Sequence, residues 1–298
     1  MVLHDAEDVV HTEELGIFDS LTEKFDLVQL PVLPLIDRRS RWIAGSYADE
    51  FAESHGKELV VREALGAGLP SAGVGCAFAR DALGWIAEAS GGLPFDAESL
   101  TEDYELGLRL HAAGGRAAFV RLPGKSGIVA TREHFPADFE AAVSQKARWM
   151  TGIALAGWDR LGWSGGLAER WMRLRDRQSV LAALFLLAGY GASLLGGVAT
   201  IVYLATGAAP ARFPDGLLIL LQINLGFLLW RLAMRFGFVS AAYGWREGLR
   251  SIPRVIVGNW IAMFAARKAV LRYLRLRRTG RVAWDKTRHA FPAILPAE

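Results

Sequence analysis

The chain has 298 residues, 52% of them hydrophobic, which sits at the top of the ordinary soluble range and suffices for one sizeable domain plus a smaller module. Residues 1–110 carry 21 acidic and 8 basic side chains, a net of −13, whereas residues 111–298 carry 10 and 26, a net of +16. The basic side chains flank long apolar runs, which favours a membrane surface over nucleic acid as what the basic half meets, and a single cysteine, Cys76, excludes an intrachain disulfide.

Met1, Val2 and Leu3 are followed at once by His4 and Asp5, without the basic and apolar regions of a signal peptide. Residues 27–35 (LVQLPVLPL) are an apolar run broken by two prolines. That predicts an edge strand or extended segment rather than a central strand. Residues 47–65 read as a helix with Glu50, Glu53, Glu58 and Glu63 along a polar side. A glycine-rich loop follows over 66–75 (GAGLPSAGVG), and residues 117–122 (AAFVRL) read as a strand. Apolar residues at helical spacing predict a helix over about 136–157, with Pro136 in its first turn.

The composition then changes. Residues 178–211 hold no charge over 34 positions, and a helix needs roughly 20 apolar residues to cross a bilayer core. This predicts a transmembrane helix over about 178–207. A second uncharged run, 216–230, has 15 residues. With the Arg231 stem snorkelling, it predicts a span over about 214–236. A third, 255–266, has 12 residues between Arg250 and Arg254 on one side and Arg267, Lys268, Arg272 and Arg275 on the other. It is too short to span and predicts an interfacial helix over about 252–275, followed by a tail. Arg170, Arg173, Arg175 and Arg177 precede the first span, and Arg246, Arg250 and Arg254 follow the second. The connection carries only Arg212 and Asp215. By the positive-inside rule the connection faces out, and the N-terminal domain and the tail face the cytosol. We therefore expect residues 1–175 to form a catalytic or binding domain and residues 176–298 a membrane module.

Four constellations could carry chemistry. In His4-Asp5-Ala6-Glu7-Asp8, carboxylates two apart at a strand end can share a hard cation such as magnesium or manganese, although a solvated acidic turn has the same sequence. In Ser99-Leu100-Thr101-Glu102-Asp103, Ser99 and Glu102 have capping-box spacing, which starts a helix. Asp103 then falls in its first turn, where the macrodipole favours the ionised form. It could act as a general base, or be simply a dipole-favoured acid. In Gln145-Lys146-Ala147-Arg148-Trp149, positions 145, 148 and 149 share one helical face. Gln and Arg there suit a diphosphate, and Trp suits a sugar or base; a tryptophan anchored at a membrane interface is the other reading. The loop Pro70-Ser71-Ala72-Gly73-Val74-Gly75 permits close backbone approach to a ligand, or forms an ordinary turn. Cys76 reads as a small core residue.

The order of these motifs, together with the phrases HDAEDVVH, DEFAESHGKELVVRE, LPSAGVG, TEDYELGLRL, QKARWMTGIAL and WDKTRHAFP, resembles the membrane-bound family-2 glycosyltransferases, the group that includes cellulose and hyaluronan synthases. The likeness covers nearly the whole chain. It implies an α/β fold: part of a GT-A (nucleotide-diphospho-sugar transferase) domain, followed by a helical membrane module. It also implies a nucleoside-diphosphate sugar as donor, a divalent metal (Mg or Mn), a glycan acceptor and the bacterial inner membrane. A partner in polysaccharide export or in the outer membrane would fit this setting, and no nucleic acid is expected.

On the same resemblance, Asp5 and Glu7 stand in the family's Asp-x-Asp metal motif, with Glu in second place. Asp103 stands where the catalytic base does, and Gln145, Arg148 and Trp149 where donor diphosphate and acceptor are held. Inverting transfer follows from that set. The family's domain ordinarily carries further strands and a base-recognising Asp ahead of the metal motif. A metal motif at residue 5 therefore leads us to expect a sequence truncated by a fragmentary gene or a misplaced start. A catalytically incomplete scaffold for a polysaccharide or phage-receptor system is the alternative. A small transporter fits poorly, because the spans hold few polar residues beyond Gln222 and Asn224.

Overall fold

The computed structural model describes residues 1–125, 127–208 and 213–280. The phrase WDKTRHAFP and the tail predicted beyond the third apolar run lie outside the described residues, apart from the tail's first few positions.

The elements run β1 (Val2–Leu3), α1 (Glu14–Leu21), β2 (Leu27–Gln29), α2 (Ile43–Glu53), a π-helical turn (Ser54–Glu58) and α3 (Leu59–Ala64). Then come β3 (Cys76–Phe78), α4 (Arg80–Ala89), α5 (Glu102–Ala112), β4 (Ala117–Phe119) and a small hairpin of β5 (Pro123–Gly124) and β6 (Gly127–Ile128). Helix α6 (Phe139–Trp149) continues through a second π-helical segment (Met150–Ala156) into α7 (Gly157–Leu161). Four helices follow: α8 (Leu167–Arg177), α9 (Ser179–Thr206), α10 (Asp215–Tyr243) and α11 (Trp245–Thr279).

The main sheet has the order β1-β3-β2-β4. β3 runs antiparallel to β1 and β2, and β2 runs parallel to β4. Side chains alternate across it with the period-two geometry of strands. Leu27, Cys76 and Phe78 pack on Ala82 and Ile86 of α4 and on Leu106 and Leu110 of α5. Val28 and Ala77 pack on the other face with Phe18 of α1. Cys76 is thus a core residue, as its size and sequence context suggested. The 27–35 run departs from the edge-strand expectation, because β2 is an interior strand. Its residues, Leu27–Gln29, end before Pro31, so the prolines remove no hydrogen-bond donor from the ladder. They fall where the chain becomes extended and forms only single bridges, Val32 with Thr131 and Leu35 with His134.

Two helix starts also differ from expectation. α6 begins at Phe139 rather than in a turn containing Pro136, because Asp138 caps it by accepting the Ala141 N–H at 2.8 Å. α5 begins at Glu102, but Thr101 rather than Ser99 is its N-cap. The Ser99 hydroxyl instead donates to Glu105 at 2.8 Å, so no capping box forms.

α9 and α10 are both long and apolar enough to cross a membrane. Most of their apolar side chains lie exposed on the protein surface. α10 continues to Tyr243, past the boundary near residue 236 suggested by the sequence, because its last turns dock on the α/β part. Arg235 Nε donates to Glu53 at 2.6 Å and the Tyr243 hydroxyl donates to the Pro34 carbonyl at 3.0 Å. Glu53 is therefore buried rather than on a solvated polar side.

α11 is 35 residues long, well beyond the segment over 252–275 suggested by its uncharged centre. Its charges do not interrupt it: Arg254 and Arg272 are packed inward, while Arg246, Arg250, Arg267, Arg275, Arg277 and Arg278 stay on its exposed side. Arg254 is 1% exposed and donates through Nη2 to Asp49 of α2 at 2.7 Å and through Nη1 to Glu247 at 2.9 Å. Further along, Ala265 and Ala269 pack on Ala147 of α6, and the Asn259 side-chain amide donates to the Tyr190 hydroxyl of α9 at 3.2 Å. α11 is thus the strut joining the apolar helices to the α/β part.

Candidate active site

Residues from four separate motifs converge on one open cavity of about 390 Å³. Its walls include Asp5 from the turn after β1, Gly73 from the glycine loop, Asp103 from the start of α5, and Gln145, Arg148 and Trp149 from the end of α6. Glu7 lies beside Asp5, with Glu133 as a third carboxylate.

The acidic turn divides its labour. Asp8 points back into the turn: its carboxylate accepts the Asp5 N–H at 3.0 Å and lies 3.0 Å from Nδ1 of His4. The other ring nitrogen of His4 is 3.0 Å from Glu14. Hydrogen bonds to Asp8 and Glu14 push the His4 imidazole up to about 9, so it is a cation at neutral pH and holds the two acids in place. Asp5 and Glu7 point the other way, and one oxygen from each lies within 4.8 Å of the others and of one from Glu133. Burial, with the Asp8, Asp5 and Glu7 charges behind it, pushes the Glu133 carboxyl up to about 8. Three carboxylates this close suit a hard divalent cation. Glu133 carried no signal in the sequence, since it lies far along the chain from Asp5 in a segment without a motif.

Asp103 departs from its expected electrostatics. It sits in the first turn of α5, where the macrodipole and the Tyr104 N–H (2.8 Å) favour its ionised form. Burial outweighs both. It pushes the carboxyl up to about 6, and the Glu102 charge adds to the rise while the Arg148 charge opposes it. Gly73, at φ +79°, is what lets the glycine loop lie against this carboxylate: a Cβ there would stand 2.4 Å from Asp103 Oδ2. Gly73→Ala combines that clash with a backbone conformation hostile to L side chains. We expect it to lower stability by about 1–3 kcal/mol, read as a drop in thermal unfolding temperature.

On α6 the face read from the sequence is the face that lines the cavity. Gln145 is 3% exposed and its Oε1 accepts no hydrogen bond from any described residue. Trp149 is held by an aromatic cluster, with Tyr47, Phe51 and Phe135 at centroid distances of 6.1, 6.3 and 6.1 Å. The intervening residues face away: Lys146 pairs with Glu50, and Ala147 packs on α11. The helix then loosens into its π-helical segment, a form that recurs at functional sites. Gly152 in that segment lies against the cap of α5, where a Cβ would meet Thr101 Oγ1 at 2.4 Å. The Gln145–Trp149 and Asp103 motifs are therefore in direct contact through their flanks.

A mixed sheet thus carries acidic, glycine-rich and Gln-x-x-Arg-Trp segments around one cleft. The sequence family described as Glycosyl transferase family group 2 matches residues 1–234, and the chain belongs to that family. It is similar to bacteriophage adsorption protein B of Escherichia coli (strain K12) and to bacteriophage N4 adsorption protein B of Escherichia coli O157:H7. Each is 36% identical over 322 residues, covering 98% of this chain and 42% of the relative. The chain thus spans well under half the length of these curated relatives. Enzymes of this family use nucleotide-sugar donors, often with a divalent metal, and glycan acceptors.

Proposed function

We propose that the chain catalyses inverting transfer of a sugar from a nucleoside diphosphate to an envelope or exopolysaccharide acceptor at the bacterial inner membrane. The observation that carries this is the shared cavity: Asp5, Asp103, Gln145, Arg148 and Trp149 come from distant motifs and line one cleft. In this reading Asp5 and Glu7 hold magnesium or manganese, which supplies positive charge where the diphosphate leaves. Asp103 takes the proton of the acceptor hydroxyl. Gln145 and Arg148 bind the diphosphate and Trp149 offers its face to the sugar or acceptor.

The catalytic unit is residues 1–175 and the membrane module residues 176–298. α9 and α10 span the bilayer, α11 lies at its surface, and the catalytic side is cytosolic, where nucleotide-sugars are available. The names of the two relatives tie those proteins to phage adsorption. A membrane enzyme that builds a surface glycan would provide something for a phage to adsorb to, and a partner that exports the glycan fits the same role.

A screen of UDP- and GDP-sugars with manganese, scored by glycan product and by the anomeric configuration of the new linkage, tests the reading. Inverted linkage from one donor is the expected result, and retained configuration would contradict the base role of Asp103. The pH profile follows from the raised Asp103 carboxyl. A base must be unprotonated, so turnover should fall as pH drops through about 6, above the range of an ordinary exposed Asp. A profile of turnover between pH 4.5 and 8 checks this.

A further inference from the structure

We propose that Glu133 is a third protein ligand of the cation held by Asp5 and Glu7, an inference that rests on the metal reading of that pair. The carboxylate is 5% exposed and lines the cavity. No described residue donates it a hydrogen bond or an ion pair, although Asp5 and Glu7 stand beside it. A buried carboxylate facing two others is unfavourable in its charged form, and a cation among the three would relieve it.

The backbone explains how a residue so distant in sequence comes to stand there. The neighbour of Glu133, Arg132, forms a two-bond bridge with Val9: the Val9 N–H donates to the Arg132 carbonyl at 2.7 Å, and the Arg132 N–H donates back at 3.1 Å. On the other side, the Leu35 N–H donates to the carbonyl of Glu133 itself at 2.7 Å. One step back, the Thr131 hydroxyl donates to Glu14 at 3.1 Å, and Glu14 is the acid that holds His4. Glu133 is therefore fixed on both flanks, and one flank is tied to the acidic turn.

The three oxygens lie close enough to share one ion after a modest adjustment. On an octahedral magnesium with bonds of about 2.1 Å, oxygens trans to one another lie about 4.2 Å apart and those cis about 3.0 Å, and at least two of three pairs are cis. The three oxygens here lie within 4.8 Å of one another, so rotamer shifts of about 1–2 Å at most draw all three onto one ion. Three protein carboxylates would leave the remaining positions of an octahedral ion for donor phosphate and water.

Manganese binding to the whole chain in detergent, without donor, tests this by paramagnetic resonance of the free ion and by metal-induced thermal stabilisation. Glu133→Gln keeps the shape and puts a neutral side chain in this buried place, so the metal-free variant should unfold at or above the wild-type temperature. It should bind manganese about tenfold or more weakly and lose most of the metal-induced stabilisation. Glu133→Asp, which keeps the charge but withdraws the oxygens, should also bind weakly and guards against a folding defect in the first variant. Unchanged affinity in both Glu133 variants, with weakened binding in Asp5→Asn, would overturn the role of Glu133 alone. Absence of manganese binding by the wild-type protein would overturn the metal reading of Asp5 and Glu7 as well.

Discussion

Asp103→Asn is expected to cut sugar-transfer turnover by about 10²–10⁴-fold, the range that a positioned general base contributes. The amide preserves the size of the side chain and can still accept the Tyr104 N–H, which lies 2.8 Å from the carboxylate in the parent. It also removes a carboxylate whose burial is unfavourable, as its raised pKa records. Stability should therefore hold or rise slightly while catalysis collapses. Donor binding should change little, so the loss should fall on kcat rather than on KM. Steady-state kinetics on wild type and variant check this. A variant with near-normal kcat would remove Asp103 from the chemistry.

The second large effect is structural. Arg254→Ala is expected to destabilise the protein by about 3–5 kcal/mol, the cost of removing one partner of a buried ion pair. The pair is enclosed: Arg254 is 1% exposed and Asp49 is fully buried. Burial pushes the Asp49 carboxyl up to about 7, even with the Arg254 and Arg235 charges pulling it down. Without Arg254 it should be protonated at neutral pH, which limits the loss to the lower end of that range. The damage should reach the active site, since α11 also packs behind α6 through Ala265 and Ala269. Removing both charges together, as Arg254→Met with Asp49→Asn, should recover much of the stability, because a buried pair contributes little beyond the cost of breaking it. Thermal unfolding in detergent of the single and double variants separates the two cases. Equal losses would mean that Arg254 acts mainly through its other partners, Glu247 and the Arg41 carbonyl, rather than by neutralising Asp49.

What could be read from the residues, and what could not, divides along physical lines. The apolar helices were legible because a charge-free run of 34 residues is long enough to cross a bilayer and costly to expose to water. The motif face of α6 was legible because helical spacing alone decides that 145, 148 and 149 point together. The length of α11 was not, because counting uncharged residues treats every arginine as an end signal, whereas Arg254 and Arg272 are buried within the helix. The interior place of β2 was obscured by prolines that fall just beyond it. The raised pKa of Asp103 was not legible because the macrodipole is local and readable, while burial comes from residues such as Phe95 and Leu100 that share its cavity wall. Glu133 was invisible because a bridge between residues 9 and 132 brings it to the acidic turn, and long-range pairing leaves no local pattern.

If the converged motifs form one metal-dependent nucleotide-sugar site, the protein should release nucleoside diphosphate from a sugar donor. The most direct measurement is that release from UDP- and GDP-sugars by membranes carrying the protein, with manganese, with chelator and with Asp103→Asn. Release from at least one donor that needs the metal and is lost in the variant is the expected result. Release that survives both chelation and Asp103→Asn, or no release from any donor in the screen, would contradict a single metal-dependent site.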